Sequence, residues 1–228
     1  MKAIILAGGR GKRLRPITDK IPKPLILINN KPLIERTIKY LKKYDITEII
    51  ISSGYKSNLI EKFLKKKKNF GCEIIFSNEK TPLGTGGAIK KALRHVDEES
   101  FLVLNGDIIT NIDLRKILRK PNTIASNELK TKFGTMSIKN NKILKFNEKK
   151  DVTDVWMNPG IYHLSKDIAK LIPKKGSLEE IVFPKMVRNK TLETVKFKNV
   201  LWFSIDSHKD IEECSKEIKL KKYSKYFT

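Results

Sequence analysis

The chain has 228 residues, 39% hydrophobic and 8% aromatic, which suits one sizeable domain or two small ones and excludes extended disorder. Lysine and arginine number 48 against 25 acidic residues, a net charge of +23 that points to anionic partners without choosing among polyanions, phosphorylated metabolites and acidic surfaces. Cys72 and Cys214 sit in no metal-type spacing and no apolar run approaches the ~18 residues of a membrane span, so no disulfide framework, zinc site or membrane anchor is expected and a cytoplasmic location is.

Apolar runs of four to six residues alternate with segments of helical period, the pattern of a mostly parallel sheet with crossover helices. "KAIILAG" reads as the first strand, "KPLIERTIKYLKKYD" as a helix with Leu33, Ile34, Ile38 and Leu41 on one face, and "EIIISSG" as the next strand. "SNLIEKFLKKKKN" follows as a helix capped by Ser57, then "CEIIFSN" as a strand, the glycine-opened helix "GGAIKKALRHV", and "SFLVLNGDI" as the fourth and most apolar strand. Beyond residue 120, "KFGTMSIKNNKILKFNEK" predicts an antiparallel hairpin around "KNNK". "WMNPGIYHLS" reads as one strand, "SLEEIVFPKMV" as a helix with a capping box at Ser177 and Glu180, and "VLWFSID" as the last strand before a lysine-rich helix. The expected fold is α/β: an open, mostly parallel Rossmann-like sheet with crossover helices and an antiparallel extension. Residues 1–228 are expected to form a single domain, 1–120 mainly binding nucleotide and 121–228 mainly binding a second substrate.

The first strand runs into "AGGRGKRLRPITDKIPKPL", where glycines allow close backbone approach and Arg13, Arg15 and Lys23 suit phosphate oxygens. Two common nucleotide fingerprints fail here. Leu14 stands where the dinucleotide pattern requires its third glycine, and Arg13 stands where the phosphate-loop pattern requires Ser or Thr. Asp107 ends the apolar run "FLVLNGD", where the carboxyl edge of a sheet presents it to a ligand crevice. His95, His163 and His208 lie in no nucleophile or metal spacing and are expected to be structural, and Trp156 and Trp202 to be core residues.

"LAGGRGKRLRPIT" followed by "PKPL" resembles the signature of the sugar-1-phosphate nucleotidyltransferases, the nucleotide-sugar pyrophosphorylases. Further similar segments are in family order: "KPLIE", "TPLGTGGAI", "LNGD", "KFNEKK" and "MNPGIY". The resemblance implies a magnesium-dependent enzyme that takes a nucleoside triphosphate and a sugar 1-phosphate and releases pyrophosphate. It implies nucleotide contacts from Leu6, Ala7, Gly8, Gly9, Gly11, Pro82, Gly84, Thr85 and Gly86, with Arg13, Lys23 and Asp107 catalytic. On the sugar-phosphate side it implies Gly134, Glu148, Lys149 and Asn158. Asp107 is the first candidate metal ligand. The family motif "WxDIGT" meets "WFSIDSH" here, with Ser204 at the aspartate position, so Asp206 is the candidate second ligand, two residues along the same strand face.

"TPLGTGGAI" looks more like relatives that join GTP to mannose or heptose 1-phosphates than those that make UDP-glucose. The form "W…ID" keeps open a cytidylyltransferase for choline phosphate or another phosphorylated alcohol. From another class, the charge keeps open a nucleic-acid-binding protein, and Ser204 an inert regulatory relative. Nucleic acid is the disfavoured partner, a homo-oligomer is allowed, and the left-handed β-helix domain that many relatives append is not expected.

Overall fold

The computed structural model describes residues 1–130, 134–148, 151–224 and 226. Its centre is a parallel sheet of β1 (Lys2–Ala7), β2 (Glu48–Ser53), β3 (Glu73–Asn78) and β4 (Ser100–Asn105), in the spatial order β4, β1, β2, β3. The chain builds outward from β1 to β3 and then returns to β1's other side. The crevice between the carboxyl ends of β1 and β4 is therefore the topological switch point, where open α/β sheets hold ligands.

The fourth predicted strand is interrupted. Beyond Asn105, Gly106 donates its N–H to the Leu6 carbonyl at 2.8 Å, pulling the chain out of line before β5 (Ile108–Thr110) begins. The second half of the chain supplies β6 (Thr123–Lys130), the hairpin β7 (Thr135–Lys139) and β8 (Lys142–Asn147), β9 (Asp151–Met157), β10 (Ile161–Ser165), β11 (Glu193–Phe197) and β12 (Trp202–Ser204). β10 joins the central sheet antiparallel to β4, and β9 and β10 both pair with β6. The single strand expected at "WMNPGIYHLS" is thus two, broken at Pro159, which has no N–H for a ladder, and Gly160, whose φ is +78°. β12 pairs with β5, setting Ser204 opposite Ile108.

The helices that fix the site are α1 (Leu33–Lys42), α2 (Ser57–Lys66), α3 (Gly84–Ala92), α4 (Phe183–Arg188) and α5 (His208–Glu217). Ile5, Ile51 and Leu102 pack with α1 and α2 on one face of the sheet, while Ile4, Ile50 and Val103 pack with α3 and α4 on the other. Ser57 is the first helical residue rather than the cap. Lys56 precedes α2 in the left-handed region, and the Ser57 hydroxyl is drawn to the Asn78 side chain at the end of β3. The helix predicted at Ser177 starts there, capped by the Ser177 hydroxyl, but opens with a widened π turn over Leu178–Val182. Pro184, which has no N–H to donate back into that turn, follows one residue after it.

A third apolar cluster joins Leu14, Ile26 and Ile28 to Ile205 and to Cys214 of α5. Leu14 is buried, which stabilises by about 1.5–3 kcal/mol. Its consequence is positional. Packing Leu14 and Ile205 into one cluster brings the next residues in sequence, Arg13 and Asp206, to the same point.

Candidate active site

Four sequence-distant charged side chains meet at the switch point. Asp107 is delivered by the kink at Gly106, where a Cβ would lie 2.6 Å from the Leu6 carbonyl oxygen and the backbone would have to shift to admit it. Lys23 lies in a short 3-10 turn that Pro22 precedes, and only 8% of it is exposed. Its Nζ donates to Asp107 Oδ2 at 2.6 Å and to Asp206 Oδ1 at 2.9 Å. Arg13 reaches the same Asp206 Oδ1 at 2.9 Å through Nη2, while its side chain stays 75% exposed. Gly11, at φ +61°, turns the chain into this arrangement, and its carbonyl accepts the Thr18 hydroxyl at 2.9 Å.

Ser204 donates its hydroxyl to Asp206 Oδ2 at 2.7 Å and so orients that carboxylate. Burial pushes the Asp206 carboxyl up, but the Ser204 hydroxyl, the Lys23 ammonium and Arg13 together outweigh it and hold the group below the usual carboxylate range. Asp206 is therefore ionised across the physiological range. Among the described residues no group of three or more His, Cys, Asp or Glu side chains forms a metal-holding cluster. The protein's hard oxygen donors at this point are the two carboxylates, the number magnesium usually takes from protein when phosphates supply the rest.

A cleft of about 650 Å³ surrounds the cluster, lined by Leu6, Ala7, Gly9, Gly11, Lys12 and Arg13 among others. It shares Leu6, Gly9, Gly11, Lys12 and Asp107 with a larger cleft of about 1380 Å³, whose walls include Gly8, Pro82, Gly84 and Thr85. Of the residues expected around a nucleotide, Gly86 alone stands behind these walls: it is buried, and its N–H is donated to the Gly176 carbonyl at 2.9 Å. The larger cleft also holds Glu79, Ser52 and Asn105, which the sequence reading missed. Glu79 is fixed by the Leu83 N–H at 2.9 Å and the Ser52 hydroxyl at 3.3 Å. The available signal was a carboxylate between the end of a strand and the "PLGTGG" loop.

Of the residues expected around the sugar phosphate, Asn158 donates through Nδ2 to the Tyr162 hydroxyl at 2.9 Å and accepts the Gly160 N–H at 2.9 Å. Gly134 lies against Glu148 at the open end of the β7–β8 hairpin, with Glu148 Oε2 2.9 Å from where a Gly134 Cβ would be. The hairpin is a separate two-stranded sheet. Lys149 lies outside the described residues. His163 is buried, as expected of a structural histidine: Nδ1 faces the Lys120 carbonyl at 2.9 Å and must donate to it, leaving Nε2 to accept from Ser100 at 3.0 Å. Among the described residues no helix is long and apolar enough to cross a membrane.

Residues 2–221 match the family described as Nucleotidyl transferase. A D-glycero-alpha-D-manno-heptose 1-phosphate guanylyltransferase of Aneurinibacillus thermoaerophilus is 37% identical over 79% of this chain and 82% of its own length. The mannose-1-phosphate guanyltransferase beta-A of Xenopus laevis is 33% identical over 92% of this chain and 62% of its own. The crystal structure of HddC from Yersinia pseudotuberculosis complexed with GMP-PN superposes with a TM-score of 0.75 at 29% identity, covering 96% of this chain and 99% of that one. The glycine loop at the switch point, its charge cluster and these likenesses agree, and the chain belongs to the nucleotidyl transferase family, among the sugar-1-phosphate nucleotidyltransferases.

Proposed function

We propose that the chain transfers a guanylyl group from GTP to a sugar 1-phosphate of mannose or heptose type. The observation that carries the reaction is the Lys23 ammonium held between Asp107 and Asp206 beside Arg13, in the lining of the glycine-lined cleft. Two polyanions have to meet there, and their repulsion is the first obstacle. A phosphate oxygen of the sugar 1-phosphate attacks the α-phosphorus, the bond from that phosphorus to the bridging oxygen breaks, and pyrophosphate leaves with the electron pair. Lys23 and Arg13 supply fixed positive charge where negative charge develops, and neither exchanges a proton. Their preorganisation also holds attacking and leaving oxygens in line.

Asp107 and Asp206 would hold Mg²⁺, which would supply further positive charge against the phosphates. The fit rests on their convergence: both carboxylates already approach one cation, the Lys23 nitrogen. Ser204 keeps Asp206 turned toward that point.

Glu79 supports guanine as the base. A carboxylate accepts both the N1–H and the exocyclic amine of guanine, whereas adenine presents a lone pair at N1 and uracil carbonyls beside its single N–H. The likeness to guanylyltransferases for heptose and mannose 1-phosphates points the same way. The test is pyrophosphate release with ATP, GTP, CTP, UTP and dTTP, each against glucose, mannose, N-acetylglucosamine and heptose 1-phosphates and choline phosphate. Release confined to GTP with a mannose or heptose 1-phosphate is expected. Release led by another triphosphate, or by choline phosphate, overturns the reading.

A further inference from the structure

One carboxylate links the wall of the larger cleft to the segment that carries Asn158. Glu179, in the π turn before α4, accepts the Thr85 hydroxyl on Oε2 at 2.5 Å and the Ser177 hydroxyl on the same oxygen at 3.0 Å. Its other oxygen accepts the Tyr162 hydroxyl at 3.1 Å, and Tyr162 in turn accepts from Asn158 Nδ2 at 2.9 Å. Thr85 lines the larger cleft, and Asn158, the residue expected to hold the sugar phosphate, lies two positions before Gly160, which packs on the cleft residue Asn105. The chain Thr85, Glu179, Tyr162, Asn158 is thus an unbroken run of hydrogen bonds.

Three features make this more than a structural tie. Tyr162 is fully buried against Phe183, with rings 5.0 Å apart and edge to face, so its hydroxyl has no freedom to seek other partners. Among the described residues no cation pairs with Glu179, so its charge is met by hydroxyl donors, of which Thr85 lines the larger cleft. The Thr85 hydroxyl is also tied to the other side, because it accepts the Leu178 N–H at 2.8 Å. In a low-dielectric setting such a fully satisfied polar run is stiff, and moving one member displaces the next.

We infer that Glu179 is a positioning residue for the transfer reaction: through Tyr162 it sets the amide of Asn158 toward the sugar 1-phosphate, and through Thr85 it ties that setting to the nucleotide loop. This rests on the proposed reaction. Glu179 touches neither reacting phosphate in this scheme and acts through its neighbours. Its side chain therefore governs how well the sugar phosphate is held once the nucleotide loop is in place.

The experiment compares wild type, Tyr162→Phe, Glu179→Gln and the double variant in the pyrophosphate-release assay, with a thermal melt on each. Tyr162→Phe keeps the ring and its packing and removes the hydroxyl, and with it both the bond donated to Glu179 and the bond accepted from Asn158. It is expected to raise KM for the sugar 1-phosphate about tenfold while KM for GTP stays within about twofold. Glu179→Gln is expected to raise the sugar-phosphate KM similarly, and the double variant to be no worse than the worse single one, the signature of residues on one path. A Tyr162→Phe enzyme with an unchanged sugar-phosphate KM, or single effects that multiply in the double variant, overturns the coupling while leaving the reaction intact. A folded wild type that turns over no acceptor overturns the proposed reaction and the coupling with it.

Discussion

Replacing Lys23 by methionine separates the charge at the centre of the site from its shape. The side chain lengths are close, so packing is kept while the ammonium that bonds Asp107 at 2.6 Å and Asp206 at 2.9 Å is lost. The two carboxylate oxygens, at most about 5.5 Å apart because both contact one nitrogen, then face each other, a repulsion of ~1–3 kcal/mol between water-like and surface-like dielectrics. Each carboxylate side chain is about a third exposed, so solvent and salt trim this toward ~1 kcal/mol, which lowers Tm by ~2–4 °C in a chain of this size. Turnover suffers far more, because the lost charge stabilised the transition state: a fall of ~10²–10³-fold is expected from removing one such group. Differential scanning fluorimetry with and without magnesium reads the first effect and pyrophosphate release the second. Magnesium is expected to raise Tm more in Lys23→Met than in wild type, because the ion no longer competes with the ammonium for Asp107 and Asp206. A folded Lys23→Met enzyme that keeps turnover within tenfold of wild type, and gains no more from magnesium than wild type does, would refute the reasoning.

Glu79→Gln turns one of two acceptors into a donor, so KM for GTP is expected to rise at least tenfold and discrimination against other triphosphates to fall; unchanged base selection in the panel sinks the role given to Glu79. Gly106→Ala forces a Cβ to within 2.6 Å of the Leu6 carbonyl oxygen, a backbone atom, so a destabilisation of ~2 kcal/mol or more is expected in urea melts. Leu14→Ala is expected to cost ~2–5 kcal/mol and to lower turnover as well, because Leu14 anchors Arg13 beside Asp206; stability loss without activity loss at a temperature where the variant is folded refutes the positional half. Burial holds the His163 imidazole below its usual range, so the stability it contributes is present above pH ~6.5 and is lost as pH falls through its lowered folded-state value; His163→Gln is expected to flatten that slope between pH 7 and 5 in denaturant titrations.

The amino-acid sequence alone determined the sheet, because buried parallel strands must be near-continuous apolar runs and their crossover helices must carry one apolar stripe; β1 to β4, α1 and α3 were legible for that reason. It also determined the chemistry on offer, since Arg13, Lys23 and Asp107 sit in short motifs whose glycines and prolines fix the local backbone. Tertiary structure decided what those residues meet. That Ser204 orients Asp206 rather than standing in for it follows from β12 pairing with β5, a contact between segments almost a hundred residues apart. The break at Gly106 and the two-part strand at Pro159 were hidden because a strand's apolar pattern continues across a kink. The role of Glu79 was only hinted at, and that of Glu179 was hidden, for a related reason. A carboxylate's role is set by which hydroxyls and amides surround it, and those of Glu179 come from Thr85 and Tyr162, which only the folded chain brings within reach.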